Sequence, residues 1–117
     1  MTHKDICIKF EATRRGETRR FEAVGFLKDG EPSVDGDEML RRVPNAIGEE
    51  DSNFLDECAS QDWSRELLPY YLATNRRYPG YQRHVRYFRQ ISDRWVRGWH
   101  GLDIQWYRGA LVLRRCA

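Results

Sequence analysis

His84-Val85-Arg86-Tyr87-Phe88-Arg89-Gln90-Ile91-Ser92-Asp93-Arg94-Trp95-Val96-Arg97-Gly98-Trp99 is the stretch whose reading decides the fold. Val85, Tyr87, Arg89 and Ile91 alternate with His84, Arg86, Phe88 and Gln90, which is the two-residue period of a pleated strand. Ser92-Asp93 has the chemistry of a tight turn. Beyond it, Trp95, Arg97 and Trp99 alternate with Val96 and Gly98, so the stretch reads as an antiparallel hairpin. On its first strand Val85, Tyr87 and Ile91 are expected to face inward and His84, Arg86 and Phe88 outward. On the second, Trp95, Arg97 and Trp99 share a face.

Working outward, residues 104–107 and 110–114 extend the hairpin into a meander, separated by Arg108-Gly109. Upstream, residues 70–74 form a short candidate strand, followed by a loop from Asn75 to Tyr81. At the amino terminus Ile6, Ile8, Phe10 and Ala12 alternate with Cys7, Lys9, Glu11 and Thr13, and a glycine turn over 13–18 leads to a return strand through Phe21, Ala23 and Leu27. Two short helices lie between. Asp35 followed by Glu38 fits a capping box before Met39, Leu40 and Val43, and Pro44 stops that helix. Gly48 opens the second, with Glu49, Glu50 and Asp51 in a first turn where the helix dipole favours acids. The expected fold is α+β: an N-terminal β-hairpin, two short helices and a C-terminal antiparallel β-meander, forming one sheet with helices on one face.

Length and composition predict a single domain over 1–117. Charge is sorted within it. Residues 1–28 form a basic hairpin of net +3, residues 29–66 an acidic helical segment of −9, and residues 67–117 a basic, aromatic-rich meander of +8. The overall +2 hides these blocks. Seventeen of the twenty basic residues are arginine, whose planar fork pairs bidentately with phosphates and stacks on rings. No apolar run has the roughly 18 residues of a membrane span, and the amino terminus lacks the pattern of a signal peptide. The chain is therefore expected to be cytoplasmic. Cys7, Cys58 and Cys116 are odd in number and widely spaced, so they read as unpaired, although Cys7 and Cys116 would approach each other if the terminal strands paired.

These residues predict a small non-catalytic module that binds nucleic acid, RNA or single strands rather than duplex. The expected phosphate contacts are Arg14, Arg15, Arg19 and Arg20 at the hairpin tip, Arg76, Arg77 and Arg83 in the 75–83 loop, and Arg86 and Arg97 on the sheet. Phe88, Trp95 and Trp99 are the expected stacking residues. The bland alternative is that the rings are core and the arginines solvated, or paired with the acidic block. A second functional reading is a protein-interaction module, adaptor or inhibitor, acting through Glu49, Glu50, Asp51, Asp56 and Glu57. That helix offers no base, which argues against a recognition helix in a DNA groove. His3, His84 and His100 have no metal-ligand spacing, and no nucleophile, base and stabiliser come together. Neither a metal, a cofactor nor catalysis is expected.

Overall fold

The computed structural model describes residues 2–117, folded as a mixed α+β protein. Its strands are β1 (Cys7–Arg14), β2 (Glu17–Val24), β3 (Ser33–Asp35), β4 (Tyr71–Tyr78), β5 (Tyr81–Ile91), β6 (Arg94–Gly101), β7 (Gln105–Tyr107) and β8 (Ala110–Arg115). The helices are α1 (Gly36–Arg42) and α2 (Glu49–Asp56). Six strands form the main sheet in the order β1-β2-β8-β4-β5-β6, and β3 pairs with β7 in a small second sheet.

Local chemistry places the elements where the sequence expects them. The β1–β2 turn puts Arg15 and Gly16 at positive φ, and the β5–β6 turn does the same with Ser92 and Asp93. Two-residue turns with both φ values positive match the right-handed twist of their strands. The Asp35 carboxylate caps α1 by accepting from the Glu38 amide at 2.8 Å.

Three expectations change. The segment 75–83 is not a loop: β4 runs to Tyr78, and Pro79-Gly80 turns it into β5, so Arg76, Arg77 and Arg83 lie on strands. The last strand does not extend the meander. β8 inserts between β2, to which it is antiparallel, and β4, to which it is parallel, while β7 leaves the main sheet for β3. Third, the helices divide between the two faces. Phe54 and Leu55 of α2 pack with Phe10, Phe21, Leu72, Phe88, Trp95 and Leu111. Met39 and Leu40 of α1 pack with Ala73, Val85, Trp106 and Val112 on the other. Adjacent residues such as Leu72 and Ala73 therefore feed different cores, and both sheet faces are buried there.

Phe88 and Trp95 are consequently interior. Phe88 is fully buried, and Trp95 is 2% exposed with its ring stacked on Trp63 at 4.5 Å. An inner face between sheet and α2 needed those rings to fill it, so they are not available to stack a base. Cys7 and Cys116 come near each other on either side of Glu22, whose Oε2 lies 4.0 Å from Cys116 Sγ, although β8 pairs with β2 and not β1. Cys7 Sγ donates to Glu22 at 3.3 Å, and all three cysteines are free. Cys58 is buried, which pushes its thiol pKa up.

Candidate nucleic-acid interface

Most of the arginines singled out in the sequence reach carboxylates of the chain itself. At the hairpin tip Arg19 is nearly buried, its guanidinium 4.3 Å from the Phe54 ring centroid. It contacts Glu17 at 2.8 Å, Asp51 at 2.7 Å and Glu50 at 3.1 Å. Glu17 is held below the usual carboxylate range by that hydrogen bond. Arg14 and Arg15 both reach Glu57, at 2.7 and 3.5 Å, and Arg115 reaches Asp51. Four cations here meet four acids, so the tip is close to neutral. Arg20 pairs with Glu11 at 2.9 Å, and Arg83 bridges Asp37 and Asp103. Arg77 bonds Asn75 and the Gln82 carbonyl instead. Of the five acids read as a partner surface, Glu49 alone has no ion pair among the described residues. The charge sorting along the chain is to a large extent an internal fit between basic strands and acidic helix.

One place departs from that balance. Arg76, Arg86 and Arg97, on three neighbouring strands, converge on Asp56 at the end of α2. Arg76 Nη1 and Arg86 Nη2 lie 3.1 and 3.0 Å from Asp56 Oδ2, and Arg97 Nη1 donates to the Asp56 carbonyl at 3.0 Å. Period-2 alternation puts them together: Arg86, Arg97 and Trp99 all point to the α2 face. The Trp99 ring lies under Arg86 at 4.7 Å and Arg76 at 5.5 Å, with Tyr78 edge-on to it at 5.1 Å. Three guanidiniums against one carboxylate leave a local excess of two positive charges. Hydrogen bonding here is incomplete on both sides: Arg86 Nε and, beside the node, Trp95 Nε1 are buried donors without an acceptor, and Asp56 Oδ1 is a buried acceptor without a donor in hydrogen-bond range. Buried polar groups are normally paired, so these atoms mark the node as incompletely satisfied from within the protein. Alongside runs a hollow of about 390 Å³ whose lining includes Asp56, Glu57, Ser60, Arg94, Trp95 and Arg97; Glu57 is itself paired with Arg14 and Arg15. Arg94, which the sequence reading did not single out, is exposed and has no carboxylate within ion-pair distance among the described residues.

Among the described residues no three His, Cys, Asp or Glu side chains are arranged to hold a metal ion. No helix is long and apolar enough to cross a membrane. The fold and this node define a small α+β protein whose charged surface is largely paired with itself and cation-rich around Asp56. Compared with known proteins, the chain matches no family model, no curated protein and no solved structure.

Proposed function

We propose that the chain is a non-catalytic module that binds single-stranded or structured RNA by its phosphates at the Asp56 node. The observation that carries this reading is the convergence of three guanidiniums on one carboxylate. A phosphate has three strong acceptor oxygens, and at the rim of the node it can take the guanidinium N–H groups of the exposed Arg97 and Arg94. Arg97 and Arg94 are the outer contacts, because Arg76 and Arg86 are anchored deeper against Asp56. Trp99 stacks on the Arg76 and Arg86 guanidiniums and fixes them against Asp56, while the more exposed Arg97 guanidinium plane can itself stack an unpaired base. Contacts of this kind read charge and shape with little sequence preference.

The test is a salt titration of binding to labelled single-stranded RNA, single-stranded DNA and duplex. Arg97 is 42% exposed and Arg94 lies at a turn, so Arg97→Glu and Arg94→Glu preserve the core. Each charge reversal is expected to weaken RNA binding by about tenfold and to lower the salt slope by about one. Arg20→Glu, outside the node, should leave both unchanged. Absence of RNA binding even at low salt, or equal losses in all three variants, would sink the assignment.

A further inference from the structure

The opposite face of the same strands carries a second, differently built site. Tyr71, His100, Gln105, Trp106, Tyr107 and Gly109 surround a cleft of about 240 Å³ between the main sheet and the β3–β7 ribbon. Its walls are rings. His100 stands edge-on to Trp106 at 4.8 Å, and Tyr71 lies 5.2 Å from Tyr87. Tyr87 in turn lies across Gly98, where a Cβ would come within 2.6 Å of its ring. Glycine at 98 is thus what lets Tyr87 lie against β6 and support this wall. Trp106 is buried with its Nε1–H fixed on the Gly101 carbonyl, whereas Tyr107 is 60% exposed at the mouth.

The formal charge beside this cleft is of one sign. No carboxylate lines it. Arg89 stands just outside the lining, over the Tyr71 ring at 4.6 Å and donating to its hydroxyl at 2.5 Å, with no acid in ion-pair range among the described residues. Arg108, in the turn between Tyr107 and Gly109, likewise has no acid partner among the described residues. Gln105 accepts from Ser33 through Oε1, which leaves its amide N–H groups unused. Elsewhere in the molecule rings meeting arginines also meet carboxylates, as at Phe54 and Trp99. Here rings and cations occur together without a counter-charge. The volume is below the roughly 300–1,000 Å³ of sites for drug-sized ligands, so it suits one ring system.

We infer that this cleft binds a planar aromatic anion, its ring against Tyr71, Trp106 and Tyr107 and its carboxylate or phosphate on Arg89. The ring supplies contact area and prefers the edge and offset geometries that the walls present. The anionic group supplies the charge that Arg89 lacks, through charge-assisted hydrogen bonds. This site stands apart from the Asp56 node, because the residues of the two point to opposite faces of the sheet.

The test follows the backbone amide and indole signals of the ¹⁵N-labelled full chain by NMR during titration with 2-naphthoate, 2-naphthyl phosphate, uncharged 2-naphthalenemethanol and inorganic phosphate. Both naphthyl anions should shift the Trp106 indole and Gly109 amide signals, with 2-naphthalenemethanol and inorganic phosphate at least about tenfold weaker. Arg89→Gln should remove that preference for the anion, and Tyr107→Ala, at an exposed position, should weaken all naphthyl probes alike. The inference is overturned if no probe moves those signals, if the alcohol binds as tightly as the acids, or if Arg89→Gln leaves the preference intact. A result of either kind is independent of RNA binding, which is read out at Arg97 and Arg94.

Discussion

Strands β4 to β6 present two unlike surfaces from one set of backbones. Facing α2, Arg76, Arg86 and Arg97 gather on Asp56 over Trp99. Facing the β3–β7 ribbon, Tyr71, Tyr87 and His100 build an aromatic wall with Arg89 beside it. Neighbours in sequence fall on opposite sides: Trp99 belongs to the node and His100 to the cleft. The difference teaches that the basic charge of a segment says little about its surface until its partners are known. Where a helix supplies acids, the arginines become struts that hold that helix to the sheet. Where the covering element is the uncharged strand Gln105-Trp106-Tyr107, rings and unpaired cations stay open.

The sharpest way to break this comparison is to remove a ring from each depth. Trp95→Ala empties a buried site and is expected to cost about 3–5 kcal/mol in urea unfolding. Trp99→Ala, on the same strand face, loses mainly cation–π contact and should cost about 1 kcal/mol. Similar losses at both positions would mean that Trp99 is core and that the node is only packing.

Acid titration separates the regions by pH. His3 Nδ1 accepts from the Phe26 and Leu27 amides at 3.1 Å, so the ring is neutral and Nε2 donates to the Ala110 carbonyl behind the cleft. Burial holds its pKa below 6.5, and partial loss of solvent with His84 nearby does the same for His100. Both bind protons less readily folded than unfolded. Their contribution is therefore complete above pH 6.5 and declines as pH falls below it. The ion-paired surface responds later. Arginine contacts hold Glu31 and Glu38 at about 2, and Asp37 below its usual range, so their contribution is present above pH 4.5 and is lost as pH falls towards 2. Chemical unfolding across this range should show an early and a late decline, with His3→Gln reducing only the early one. An unchanged early decline in His3→Gln would remove His3 from the account.

The strand alternation from His84 to Trp99, the Ser92-Asp93 turn, the Asp35 cap and the Gly48 helix start were legible because each is set by residues a few positions apart. The convergence of Arg86, Arg97 and Trp99 was legible for the same reason, since period 2 puts them on one face once the hairpin is recognised. Insertion of β8 between β2 and β4 was not, because nothing within Ala110–Arg115 encodes which distant strands it joins. The 75–83 stretch misled because Asn75, Arg76 and Arg77 are weak strand formers, carried into β4 by pairing with β5. Nor could spacing foresee that Asp56 would face three arginines while Arg83 would face two aspartates. The cleft was missed because its walls come from β4, β6, β7 and the turn before β8, and only the tertiary fold brings those together.

The central claim is that the three arginines gathered on Asp56 form a cation-rich node that binds RNA, and the most direct measurement is RNA affinity against salt for Asp56→Asn. The substitution keeps the shape and one acceptor oxygen while removing the only carboxylate among Arg76, Arg86 and Arg97. In protein shown to be folded, the account predicts single-stranded RNA binding tighter by several-fold at fixed salt, with a slope steeper by about one. Binding that is unchanged or weaker, at an unchanged slope, would contradict it.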